Sequence, residues 1–309
     1  MFNIYTLIAK AHAWWPRMRI IGVAFFFIFI FSFIALVFAW GLPRAVLVLI
    51  SPNAQVGTVA AVVTSPFRYT FKSTGTLKEA SSEDESSSPY FWLDSGAKLI
   101  IENGIGRTLQ GKLSELDPWH VRYALSSRVD TSNGDYPQNL FRLLTRSSWE
   151  NVRVDTSFRI LADHFVDSPN QNASNGLLLM LRYTDGNNLY YAGIRMDGTA
   201  VIKKKYKGTY YTLAQKTIFS GRYAEHANMN LLPHDTWISL RTEIITNLDG
   251  SVGISLYQKT EGAAGWTKIL EAKDAGTFGG TMPITGAGFI GIRTDFMDVA
   301  FKDFNALRL

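Results

Sequence analysis

The run from Ile20 to Trp40, IIGVAFFFIFIFSFIALVFAW, constrains this chain more than any other stretch, because it carries no charge and no proline over 21 residues. As a helix rising about 1.5 Å per residue it would be about 31 Å long, against the roughly 30 Å hydrocarbon core of a bilayer. A buried core helix is usually shorter and keeps a polar stripe, so the run predicts a transmembrane helix over 20–40. Lys10, Arg17 and Arg19 precede it and Trp14 and Trp15 stand at its entrance. Basic flanks and interfacial tryptophans predict a cytoplasmic N-terminus with everything after Trp40 outside the cytoplasm. Val37-Phe38-Ala39 also offers small residues for signal cleavage near Ala39, which would release a secreted protein. The apolar core exceeds the roughly 7–15 residues of a signal peptide, which favours an uncleaved, single-pass anchor in the cell membrane.

Splitting the chain at this run changes the meaning of its net charge. Residues 1–68 hold five of the 31 Lys and Arg and no Asp or Glu, so the remainder has 26 basic residues against 26 acidic ones. The formal +5 therefore belongs to the membrane end, and the rest has no overall field to attract nucleic acid. With no cysteine anywhere, disulfides, thiolate metal sites and cysteine nucleophiles are excluded. Four segments follow: a short basic tail at 1–19, the span at 20–40, a connector at 41–68 containing three prolines, and a folded domain at 69–309.

In that domain short β-type runs alternate with turn signals. Lys98-Leu-Ile-Ile, Gly111-Lys-Leu, Phe158 to Leu161, Leu177 to Tyr183, Leu189 to Arg195 and Ala200 to Lys205 lead the series. Ile238 to Ile244, Val252 to Gln258, Trp266 to Glu271, Phe289 to Arg293 and Val299 to Phe304 complete it. Asp185-Gly186 and Asp197-Gly198 read as hairpin turns. Strands at this spacing without a helical stretch predict an all-β fold, an antiparallel two-sheet jelly roll.

The segment NGLLLMLRYTDGNNLYYAGIRMDGTAVIKKKYKGTYYTLA (175–214), the strand TWISLRTEI (236–244) and the ending GAGFIGIRTDFMDVAFKDFNALRL (286–309) resemble concanavalin A-like lectin/glucanase domains, including laminin-G-like modules. The resemblance implies a two-sheet jelly roll whose concave face often binds glycans. It does not imply an activity. The glucanase strand with two Glu and an Asp at alternate positions is absent. Arg241-Thr242-Glu243 and Tyr190-Tyr191-Ala192-Gly193 repeat letters of alginate-lyase-like strands, but in reversed order and without a Q-I-H motif.

Strand alternation places Tyr191 and Arg195 on one face of their run, Arg241 and Glu243 on one face of theirs, and Arg293 with Asp295 on another, with Arg182 opposite Leu181 and Tyr183. If these faces coincide, they form a Tyr, Arg and carboxylate surface suited to a polysaccharide or oligosaccharide, since sugar rings stack on aromatics and hydroxyls take forked hydrogen bonds. Gln138 and Arg142, in PQNLFRLLTRSSW (137–149), are further candidates to line a glycan groove, or else part of a long loop. In the basic run Lys203-Lys204-Lys205, the middle lysine points opposite to the other two; the run reads as a solvated sheet edge or an anionic-glycan contact. The alternative of a polysaccharide-cleaving enzyme, hydrolase or lyase, requires an acid/base pair, for which Glu243 with Asp295 or Tyr191 qualifies, and His164, near Asp163 and Asp167, is another candidate. A third alternative is a cell-surface protein-interaction module. The fold analogy also implies a structural Ca²⁺ at the rim, with Asp298 and Asp303 as ligands. Asn172-Ala173-Ser174 fits a glycosylation sequon.

Overall fold

The computed structural model describes residues 57–278 and 281–309. The predicted span at 20–40 and the basic tail lie outside them, and no helix among the described residues is long and apolar enough to cross a membrane.

Sixteen strands form two antiparallel sheets. The nine-stranded sheet contains β1 (Phe67–Tyr69), β2 (Gly75–Lys78), β4 (Lys98–Glu102), β5 (Ile105–Arg107), β7 (Val152–Asp163), β12 (Ile238–Thr246), β13 (Val252–Thr260), β14 (Thr267–Asp274) and β16 (Met297–Arg308). Its order is β14-β13-β12-β7-β16-β5-β4-β2, with β1 also on β16. The seven-stranded sheet contains β3 (Phe91–Ser95), β6 (Leu140–Trp149), β8 (Gly176–Asp185), β9 (Asn188–Arg195), β10 (Thr199–Tyr206), β11 (Thr209–Thr217) and β15 (Gly288–Asp295), in the order β11-β10-β9-β8-β15-β6-β3. This is the all-β, two-sheet antiparallel sandwich that the alternation predicts.

The period-2 pattern explains the packing. In β7, Val152, Val154, Phe158 and Ile160 are buried while Arg153, Asp155, Ser157 and Arg159 face out. Leu240 and Ile244 of β12 join the same layer from one side, Phe301 and Phe304 of β16 from the other. Leu177, Leu179, Tyr190, Ile194 and Ile292 oppose them from the second sheet. Each such side chain contributes about 1.5–3 kcal/mol on burial.

Five local readings change. The sequence pattern shows no helix, yet α1 (Pro118–Ser126) forms, with the Asp117 carboxylate accepting from the Trp119 amide at 2.9 Å and Pro118 at the helix start. An acidic N-cap followed by proline is a helix-start signal, but the helix it opens buries only Trp119 and Tyr123, so no sustained apolar period marks it in the sequence. The segment 137–149 is no long loop: after one 3₁₀ turn at Pro137–Asn139 it is β6, running between β15 and β3. Lys203 to Lys205 do not form a sheet edge, because β11 pairs with β10 across a two-residue turn, Lys207-Gly208, in which both residues have positive φ. Gly111-Lys-Leu lies outside any strand; the partner of β4 is β5. Upstream of Tyr69 the chain already belongs to the sandwich, since Thr58 and Ala61 donate to the Ser86 and Pro89 carbonyls and β1 pairs with β16.

Candidate functional site

The outward faces of the two sheets differ in character. On the nine-stranded sheet the outward residues form cross-strand polar pairs: Arg153 with Glu243 at 2.6 Å, Arg241 with Asp155 at 3.3 Å, and Ser157 with Ser239 at 2.7 Å. On the seven-stranded sheet the outward face carries a second apolar cluster of Leu144, Leu178, Met180, Tyr183, Leu189, Tyr191 and Val201, flanked by Trp92 and Phe289. Apolar side chains at 0–6% exposure on an outward face mean that neighbouring groups cover them, and the cover is where the site lies.

A cleft of about 380 Å³ opens there. Leu178 and Tyr191 form its floor, with Leu140 and Phe296 at one end. Lys203 of β10 and Tyr210 of β11 make one wall; Asn170, Asn172, Ser174 and Asn175, from the loop before β8, make the other. Arg293 and Asp295 of β15 complete the lining. Register explains the meeting: Lys203 is paired with Tyr191 across β10 and β9, and Arg293 with Leu178 across β15 and β8. Tyr191 and Tyr210 touch edge to face, with ring centroids 6.1 Å apart at 78°. Between Tyr191 and Arg195 stands Gly193, where an added Cβ would fall 2.1 Å from the Leu177 carbonyl oxygen, so this row of the sheet tolerates no side chain.

The electrostatics are set by burial and by close pairs. Arg293 donates from Nε to Asp295 Oδ1 at 2.8 Å. Asp295 is 1% exposed and its Oδ2 has no hydrogen-bond partner of good geometry, although the Asn175 amide is close enough to favour the ionised carboxylate. Burial raises the Asp295 pKa, opposed by the charges of Arg293 and Arg142, and the Asp295 carboxylate in turn raises that of Arg293. Burial pushes the Tyr191 phenol well up. Burial acts on Tyr210 in the same direction, but Arg293 and Lys205 outweigh it and leave that phenol below its usual range. Burial, aided by Arg195, holds the Lys203 ammonium below the ordinary lysine value.

Of the residues singled out from sequence, Tyr191, Arg293 and Asp295 line the cleft. Arg195 lies on the same face but is turned to the rim, donating to the Ala173 carbonyl at 3.0 Å and to Asp197 at 2.7 Å. Arg142, paired in register with Arg293, binds Asp94 and lies over the Tyr183 ring at 5.2 Å.

The others are elsewhere. Arg241 and Glu243 sit on the outward face of the other sheet, so Glu243 cannot act with Asp295 or Tyr191. Arg182 is fully buried: a bulge in β8 gives it φ 46°, breaks the alternation, and turns its guanidinium to the Glu150 and Ile284 carbonyls, Asn151 and Thr246. Gln138 is buried and donates to the Gly111 carbonyl and to Asp298, both at 2.9 Å. His164 stacks on Tyr136 at 4.3 Å with Nε2 2.8 Å from Asp298, away from the cleft lining.

Those contacts decide the Ca²⁺ expectation. Both Asp298 oxygens already face protein donors, Gly111 N at 2.7 Å and Gln138 Nε2 at 2.9 Å. Asp303 is exposed at a positive-φ position of β16, and among the described residues no group of three or more His, Cys, Asp or Glu is placed to hold a metal ion. Asp298 and Asp303 do not fit a Ca²⁺ site.

Lys203, Tyr210, Asn170 and Asn175 meet at one cleft that the sequence pattern does not group. Parity along KKK and TYY marks Lys203 and Tyr210 as outward, but which strand neighbours which is not written in either run. The asparagines come from an irregular loop with no period to read.

No family model and no curated protein matches the chain. Solved structures similar to it include a carbohydrate binding module from Bacillus subtilis, at 15% identity over 54% of this chain and 81% of that one, with TM-score 0.37. Another is a GH43 protein from Bacillus licheniformis, mutated at one position, at 15% identity and TM-score 0.39, covering 68% of this chain; the match spans about a third (34%) of that protein's length. A third is a marine alginate lyase from Aplysia kurodai, at 11% identity over 77% of this chain and 100% of that one, with TM-score 0.36. At TM-scores this low the architecture rests on the strand order and pairings themselves.

Proposed function

We propose that this protein is a carbohydrate-binding protein that uses the cleft on the outward face of its seven-stranded sheet, held outside the cytoplasm by a membrane anchor at 20–40. One observation carries the reading. Tyr210, 46% exposed, presents a ring in the cleft that also holds Asp295, whose buried Oδ2 has no hydrogen-bond partner of good geometry among the described residues. A pyranose supplies what both lack, a C–H face for the ring and a hydroxyl for the oxygen. Tyr191 and Leu178 keep the floor dry, and Asn170 and Asn175 add amide donors and acceptors at the rim. The site is the kind of largely preformed pocket with few convergent polar groups that suits a small ligand.

Binding of the purified full-length chain to a panel of oligosaccharides tests this. Tyr210→Ala should weaken a bound sugar by about tenfold, the scale of one aromatic contact. Asp295→Asn should weaken it comparably, with the folded signal by circular dichroism intact in both. Absence of binding to every oligosaccharide at millimolar concentration would end the reading. Appearance of cleavage products, lost on substitution of Tyr210, would move the protein from binder to enzyme.

A further inference from the structure

We propose that the cleft selects acidic saccharides, the negative group of the sugar seating between Lys203 and Arg293. The inference rests on the carbohydrate reading and narrows its ligand. Lys203 lies in the wall of the cleft with its side chain half-buried, and among the described residues no carboxylate comes within ion-pair distance of its Nζ. Asp197, the acidic group that attracts it, is engaged by Arg195 at 2.7 Å. Burial and the nearby Arg195 already depress the Lys203 pKa. A partly desolvated cation without a counter-charge is costly, and an arriving anion removes that cost.

Arg293 reinforces the demand. Its Nε is given to Asp295 at 2.8 Å and its guanidinium also hydrogen-bonds the Tyr210 hydroxyl, but its terminal nitrogens form no ion pair among the described residues and keep N–H donors for a carboxylate or sulfate. Lys205 stands 4.6 Å from the Tyr210 ring on the same wall. Against the two cations of its lining, Lys203 and Arg293, the cleft sets one carboxylate, Asp295.

Charge alone would fit any small anion, and two further features argue against a bare one. Asp295 Oδ2, without a hydrogen-bond partner of good geometry among the described residues, offers an acceptor for a hydroxyl, and inorganic sulfate brings none. The Tyr210 ring requires an apolar face. A ligand that offers a negative group, a hydroxyl and a C–H face together is a sugar bearing a carboxylate or a sulfate.

The experiment measures binding of the full-length chain by calorimetry to four probes: an oligogalacturonate, the same oligomer with its carboxylates reduced to alcohols, a sulfated galactose oligomer, and inorganic sulfate. At least one acidic oligomer should bind about tenfold or more tightly than the reduced one, as for a charge-assisted contact. That preference should fall to within about threefold in Lys203→Gln, persist in Lys203→Arg, and persist in Lys216→Gln, which removes an exposed lysine outside the cleft. Whichever acid is preferred identifies the carboxylate or the sulfate as the group recognised. Equal affinity for acidic and reduced oligomers would overturn the inference and leave the carbohydrate reading standing. Inorganic sulfate binding as tightly as the oligomers would overturn it too, by showing an anion site alone. No binding to any oligomer would overturn both.

Discussion

At the scale of single residues, two side chains show how far sequence parity can be trusted. Tyr191 and Arg293 face where alternation puts them, because β9 and the second half of β15 are regular where they lie. Arg182 does not, because a bulge with positive φ interrupts β8; nothing in LRYTD announces which residue absorbs it. The role Arg182 acquires is structural: its guanidinium satisfies two carbonyls, an amide oxygen and a hydroxyl at 2.7–3.1 Å. Arg182→Ala should therefore lower stability by about 3 kcal/mol, from buried acceptors left without donors, and chemical denaturation would show it as a drop in midpoint with little change in slope. His234 gives a pH-dependent case. Its Nε2 lies 3.0 Å from Asp163, which raises the imidazole pKa, mainly through that hydrogen bond. A raised folded-state value stabilises below the unfolded pKa of about 6.5, and the contribution fades as pH rises through the folded value. Thermal denaturation of wild type and His234→Gln should therefore separate more at pH 5 than at pH 9; an equal gap at both would refute the coupling.

At the scale of elements, β10 does two jobs on its two faces. Lys203 lines the cleft and Lys205 lies over the Tyr210 ring on the same face, while Lys204, fully buried, reaches Asp274 of β14 at 2.8 Å. Tyr190 of β9 donates to the same Asp274 oxygen at 2.6 Å, and its own hydroxyl accepts from the Ile284 amide at 2.9 Å. This network ties β14, at the edge of one sheet, to β9 and β10 of the other. Lys204→Met leaves a buried carboxylate without its cation and should cost about 3–5 kcal/mol; Lys204→Met with Asp274→Leu removes both charges and should recover most of it. Thermal melts of the single and double variants decide this, and a double variant no better than the single would exclude the ion pair as the cause. The helix α1 offers a smaller test, since Asp117→Ala removes its N-cap bond as well as the contact to Lys98 at 2.6 Å and should cost about 1 kcal/mol. Both elements had visible signals, a lysine of opposite parity within KKK and an Asp-Pro pair, yet each signal names a local geometry and not its distant partner.

At the scale of the molecule, the all-β class was legible because most long strands bury one face and expose the other, as β7 and β12 do. The site was half legible. Outside the bulge of β8 the face assignments used for the site hold, but the grouping of Arg241 and Glu243 with Arg293 and Asp295 fails because β12 and β15 belong to different sheets, a fact of chain topology that no single strand records. The same topology governs how the domain comes into being. β16 lies in the middle of the nine-stranded sheet, pairing with β7 on one side, β5 on the other, and with β1 in the register Phe67 to Ala306. Loop closure over such separations is slow, and without β16 the strands β1, β5 and β7 have no common neighbour. The nine-stranded sheet thus cannot close until Met297–Arg308 is in place, so every contact that β1, β5 and β7 make through it waits on that one strand.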